Sequence, residues 1–132
     1  MNYSETLIDH FRNPRNAGMM RDPDGVGEET FDGCGDLARF YLRVVDGRVA
    51  AVRFQTYGCG PTIAASSAGT ELATGRSVSD LLTLSERDVA AAVDGLPAER
   101  LHAAQVVAGA IRAAARDFLS RRSAPSGMKQ HV

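Results

Sequence analysis

The residues predict a single domain that combines helices with a short antiparallel sheet. Three observations carry that expectation. Two runs of alternating apolar residues, "DLARFYLRVV" and "RVAAVRFQT", meet around Asp46-Gly47 in the pattern of a hairpin. A serine-capped amphipathic stretch precedes them, and a long stretch with apolar spacings of three and four follows. The chain has 132 residues, enough for one modest core and not for two.

Ser4 can cap a first helix that carries Leu7, Ile8 and Phe11 on one face, and Pro14 stops it at about Asn13. A loop rich in glycine and aspartate, "GMMRDPDGVG", leads to a short strand expected near Glu28 to Phe31. After the hairpin, "PTIAASSAGTELATG" reads as a helix of small residues, with Pro61 in its first turn and Gly75 as its stop. Ser77 with Asp80, and Ser85 with Asp88, mark the starts of two short helices. Gly95 and Pro97 then punctuate the chain before a last helix, whose stripe runs Leu101, Ala104, Ala108, Ile111, Ala115, Phe118. A tail from about Ser123, "SAPSGMKQHV", is expected to be disordered.

The hairpin register follows from patterning. A two-residue turn at Asp46-Gly47 pairs Val45 with Arg48 and sets Phe40 and Arg53 on one face, mixing core with solvent. A three-residue loop, Val45 to Gly47, pairs Val44 with Arg48 instead. Phe40, Leu42 and Val44 then share a face with Ala50, Val52 and Phe54, so this register is expected. Extended backwards, it sets Asp36 opposite Thr56 and Cys34 opposite Gly58, bringing Cys34, Asp36 and Cys59 to one end of the hairpin.

Composition excludes several classes. A net charge of −1 gives no general attraction for nucleic acid or for an anionic membrane. No apolar run approaches the roughly 20 residues of a membrane-spanning helix. The opening "MNYSETLIDHFRNPRN" lacks the basic-then-apolar order of a signal peptide. Those features point to the cytoplasm, where thiols stay reduced and a structural disulfide is not expected.

Two cysteines and an aspartate make three candidate ligands, and a tetrahedral zinc or iron site takes a fourth. Cys59 lies just before a helix start, whose partial positive charge favours a thiolate. Of the three histidines, His131 sits in the tail and His10 reads as a solvated surface residue beside Asp9. His102 lies in the first turn of the last helix, off the apolar stripe, where the dipole favours the neutral, ligating imidazole. Other readings stay open on the residues alone. The thiols fit buried, inert cysteines, and Cys59 with His102 fits a nucleophile pair without a third orienting residue. The glycines of "GCGDLA" lead into a strand and not out of one, which disfavours a nucleotide loop.

At these positions the chain resembles the IscU/NifU-type iron–sulfur cluster assembly scaffolds. The resemblance rests on "YSETLIDHFRNPRNAG" (Tyr3 to Gly18), "CGD" (Cys34 to Asp36), "RFQTYGCG" (Arg53 to Gly60) and "ASS" (Ala65 to Ser67). "LPAERLH" (Leu96 to His102) matches more loosely. It implies an α+β fold of the SufE/NifU-like kind: a three-stranded antiparallel sheet with helices packed on one face. The scaffold domain would span residues 1–122, with residues 123–132 as tail. It further implies that Cys34, Asp36, Cys59 and His102 hold iron, zinc or a [2Fe–2S] cluster. A cysteine desulfurase would supply sulfur, apo iron–sulfur proteins would receive the product, and the chain itself would be a scaffold or carrier, not an enzyme.

Two departures qualify the resemblance. The family places a third cysteine directly after the histidine, where this chain has Ala103. The "LPPVK" of scaffolds served by a dedicated chaperone is here "LPAER", so that partner stays open. The long insertion of zinc-dependent sulfur-relay relatives is also missing before His102. Two alternatives follow: a divergent desulfurase-binding module, and a sulfur-relay protein without stable cluster binding.

Overall fold

The computed structural model describes residues 2–33 and 35–123. Cys34, expected opposite Gly58, lies outside these residues, as do His131 and the tail beyond Ser123. In chain order the elements are α1 (Glu5–Arg12), β1 (Gly25–Phe31), β2 (Asp36–Val45), β3 (Arg48–Tyr57), α2 (Gly60–Ala73), α3 (Val78–Leu81), α4 (Glu86–Ala92), a 3₁₀ turn (Ala98–Arg100) and α5 (His102–Ser123). The three strands form one antiparallel sheet in the order β1-β2-β3, and helices α2 and α5 pack on it. The α+β expectation is met.

The hairpin keeps the expected faces by a different route. Val45 pairs with Arg48 across a two-residue turn, and Asp46 and Gly47 both take positive φ, at 53° and 77°. That is the turn whose twist suits a hairpin. A bulge then restores the pattern: Val44 pairs with Val49 while Arg43 pairs with Ala51, leaving Ala50 as the extra residue. Beyond it Leu42 faces Val52 and Phe40 faces Phe54, all four buried. The expected pairing of Val44 with Arg48 is therefore corrected, and so is the placing of Asp36 opposite Thr56. Thr56 pairs with Ala38, and the last pair, Leu37 with Tyr57, leads Asp36 to Gly58. Ala50, expected inside, is exposed, and Val49 is buried in its place.

Close packing on β1 explains its glycines. A Cβ at Gly27 would lie 2.1 Å from the Ala114 backbone nitrogen and 2.3 Å from the Ala110 carbonyl oxygen, so only glycine lets α5 approach so near. The strand begins at Gly25, ahead of the expected Glu28. Both sheet edges are occupied. The Val26 amide on β1 donates to Asp117 Oδ2 at 2.8 Å, and the loop at Asn16–Gly18 bonds to Phe54 of β3 on both sides.

The helix caps fall where the sequence puts them. Ser4, Ser77 and Ser85 each accept an amide proton in the first turn, and Ser85 with Asp88 closes a full capping box. Two helix faces differ from expectation. On α1 the inward residues are Leu7 and His10, with Ile8 and Phe11 on the solvent side. His10 is not a surface residue: its Nδ1 lies 2.8 Å from Ser67 Oγ on α2 and its Nε2 3.5 Å from Glu71. Burial pushes its pKa below the ordinary imidazole value, and the charge of Arg15 pushes the same way. On α5, Leu101 precedes the helix and is exposed and Phe118 is half-buried, while Ala103, Val106, Val107, Ala110 and Ala114 are buried along with Ala104, Ala108, Ile111 and Ala115 of the expected stripe. This helix packs against β1 and β2 of the sheet and against α2, α3 and α4, so its buried face is wider than one stripe.

Candidate metal centre

Five elements end at one corner of the sheet. Asp36 opens β2 on its inner face, and Phe31 closes β1 directly beside it in the pairing. Cys59 follows β3 and is the N-cap of α2, and Thr62 stands in the first turn of that helix. His102 is the first residue of α5. The amino ends of two helices thus converge on a buried carboxylate, an arrangement that favours negative charge.

The donor atoms are close. His102 Nε2 lies 3.0 Å from Asp36 Oδ2, Cys59 Sγ 3.6 Å from the same oxygen, and Cys59 Sγ 3.9 Å from His102 Nε2. Bonds of about 2.0–2.3 Å at tetrahedral angles set donor atoms roughly 3.3–3.8 Å apart, so the three separations bracket what one ion needs. Asp36 is 2% exposed and the His102 side chain 8%, so water contributes little to either. Among the described residues this is the group of three such side chains whose donor atoms lie within 4.8 Å of one another.

Neighbouring residues orient the donors. Thr62 Oγ1 donates to Asp36 Oδ2 at 2.6 Å and lies 3.2 Å from Cys59 Sγ. The Phe31 ring stacks on the His102 imidazole, with centroids 4.8 Å apart. Asp36 Oδ1 is buried without a hydrogen-bond partner, an incompleteness that an added cation would relieve electrostatically. The thiol, the imidazole and the carboxylate form the mixed donor set of zinc or iron(II), and the residues present fit such an ion. Gly58 makes the geometry available, because a Cβ there would lie 2.3 Å from Asp36 Oδ1. Cys59 also borders a cavity of about 470 Å³ lined by Tyr3, Leu7, Ile8, Phe11 and Arg100.

Three of the four residues singled out from the sequence are therefore brought together: Asp36, Cys59 and His102. Cys34 lies outside the described residues. Sequence reasoning missed Thr62, Phe31 and Gly58. Thr62 carried a readable signal, since the third residue after an N-cap turns its side chain back towards it. Phe31 carried none, because its contact with His102 depends on how α5 crosses the sheet.

Fold and site together define a small α+β domain with a mixed thiol–carboxylate–imidazole donor set whose carboxylate and imidazole are buried and whose thiol is half-buried. A family profile described as the NifU-like N terminal domain matches residues 2–125. The chain is 39% identical over 128 residues to the iron-sulfur cluster assembly scaffold protein IscU 1 of Archaeoglobus fulgidus, covering 97% of this chain and 84% of the relative. It is 38% identical over 128 residues to the scaffold protein IscU of Escherichia coli K12, covering 94% and 99%. A crystal structure of the N-terminal part of a NifU-like protein from Brucella abortus superposes with a TM-score of 0.74 at 16% identity, covering 88% and 93%; that likeness speaks for the fold. The chain belongs to the NifU-like N-terminal domain family.

Proposed function

We propose that this protein is an iron–sulfur cluster assembly scaffold or carrier, and not an enzyme. Its cargo is iron, zinc or a [2Fe–2S] cluster, held by Asp36, Cys59 and His102 with Cys34 as the further thiolate. The observation that carries the reading is the convergence of Asp36 Oδ2, Cys59 Sγ and His102 Nε2 at the sheet corner. Family membership and the scaffold names of relatives matched over most of their length support it.

The chemistry suits a carrier. A thiolate binds soft ions firmly, whereas a carboxylate and an imidazole exchange more readily. Metal ligation by a thiolate and a neutral imidazole competes with protons, so binding weakens as pH falls. A cysteine desulfurase is the proposed sulfur donor, apo iron–sulfur proteins are the recipients, and the cytoplasm is the setting. Residues 1–122 form the functional domain.

Anaerobic reconstitution with iron and sulfide is the test. Visible absorbance of a bound cluster, lost in Cys59→Ala, is the expected result. A featureless spectrum, with no iron retained after desalting, refutes the proposal. A second reading, a sulfur relay, draws on one feature: Cys59 borders an open cavity while Ala103 offers no thiol beside His102. Desulfurase-dependent persulfide on Cys59 in a protein that never builds a cluster would establish that alternative.

A further inference from the structure

Thr62 is fully buried, and its hydroxyl has one proton for two acceptors: Asp36 Oδ2 at 2.6 Å and Cys59 Sγ at 3.2 Å. The carboxylate oxygen is the nearer and the stronger acceptor, so the proton goes there. The backbone that carries this hydroxyl is fixed by its own helix, independently of Asp36. The Thr62 amide donates to the Cys59 carbonyl at 3.1 Å, and the Thr62 carbonyl accepts from Ser66 Oγ at 2.8 Å. Ser66 Oγ lies 2.8 Å from Thr56 Oγ1 on β3, which ties this turn to the sheet.

The other two polar contacts of Asp36 are those that cargo must break. His102 Nε2 cannot donate to Asp36 and ligate an ion at once, and Cys59 gives up its thiol proton on ligation. Oδ1 has no hydrogen-bond partner and rests against Gly58. Of the hydrogen bonds that hold the carboxylate, only that from Thr62 survives occupation of the site.

We propose that Thr62 is a positioning residue for Asp36: its hydroxyl takes one lone pair of Oδ2 and directs the other to the point shared by Cys59 Sγ and His102 Nε2. Asp36 is thereby held as a one-oxygen ligand, with Oδ1 turned away onto Gly58. This inference rests on the proposed cargo site. It goes beyond that site because Thr62 is neither a ligand nor part of the motifs that mark the family resemblance.

The test uses the full chain and cobalt(II) as the probe ion, with Thr62→Val and Thr62→Ser beside the native protein. Affinity is read by competition with a chelator, geometry by the visible bands of tetrahedral cobalt, and folding by apo-protein melting. Thr62→Val, which keeps shape and loses the hydroxyl, is expected to weaken cobalt binding by about 10–100-fold and to shift the visible bands. Thr62→Ser is expected to restore both. A purely structural role would lower the melting temperature of Thr62→Val and leave the bands unmoved, and that result overturns the proposal. So does a Thr62→Val protein that binds cobalt as tightly as the native chain. Where Thr62→Val does not fold, Thr62→Ala carries the same expectation and the same refutation. A native protein that binds no cobalt refutes the cargo site and this inference together; a native protein that binds while the variant matches it refutes this inference alone.

Discussion

Gly58→Ala adds one methyl group at the point where the sheet hands over to the site. The new Cβ would lie 2.3 Å from Asp36 Oδ1 and 2.7 Å from its Cγ, about 1 Å short of ordinary van der Waals contact. The side chain that must yield is the proposed ligand itself. Metal donors tolerate about 0.2 Å of misplacement, so a shift of about 1 Å removes Asp36 from the set. Gly58 also has φ of +154°, where an L-residue carries strain of about 1–3 kcal/mol. Two readouts follow. Melting of the apo-protein should fall by roughly 4–12 °C, taking about 4 °C per kcal/mol for a chain of this size. Zinc affinity, measured by chelator competition, should fall by on the order of 100-fold, equivalent to about 2.7 kcal/mol. Asp36→Ala on its own should lose comparable affinity, and Gly58→Ala on that background should lose little more, because both changes act through one carboxylate. If Gly58→Ala alone binds zinc as the native protein does, Asp36 is not a ligand and the reasoning fails.

Further outcomes follow from the same geometry. Chelation should lower the melting temperature of metal-loaded protein by about 10 °C where free ion stood at a hundred times Kd, and Cys59→Ala should abolish the difference. Asp36→Ala should reduce it less than Cys59→Ala does, and equal melting curves with and without chelator would show that metal does not stabilise the fold. Ala103→Cys places a thiol next to His102 at the start of α5. Its reconstituted cluster should outlast the native one when absorbance is followed after chelator addition; a longer-lived native cluster refutes the view that Ala103 marks an impaired assembly position. Burial lowers the pKa of His10, so the unfolded chain takes up its proton more readily than the folded one. Its contribution is complete above about pH 6.5 and is lost as pH falls towards the depressed folded-state value. Facing it are Ser67, Glu71, Arg15 and Asp9; the loss of melting temperature between pH 7.5 and 5.5 should be smaller in His10→Asn, and an unchanged loss would place the linkage elsewhere.

Local chemistry was legible wherever the cause is local. The serine caps, the proline at the start of α2 and the alternation along β2 and β3 depend on residues within one turn or one strand pair. Asp36 and Cys59 could be placed at one end of the hairpin because period-two patterning fixes which side chains share a face. The alternation fixed that parity and not the pairing itself. A tight turn with one bulge and a longer loop give the same faces, and the structure chose the turn, with Ala50 as the extra residue.

The remaining features depend on how helices lie on the sheet. The burial of His10 requires Ser67 and Glu71 of α2 to meet it, and nothing within α1 announces that. A periodic stripe names one face of a helix, yet α5 buries more than one because the sheet and the helices α2, α3 and α4 all pack against it. His102 was a candidate from its place at a helix start. Its approach to Asp36, and the stacking of Phe31 that orients it, exist because the glycines of β1 let α5 settle onto the backbone of the strand. Residue type and strand alternation settle which donors the chain owns and which end of the hairpin carries two of them. The distances that make them one site were set by helix-on-sheet packing, a contact between residues far apart in the chain, whose geometry no local pattern encodes.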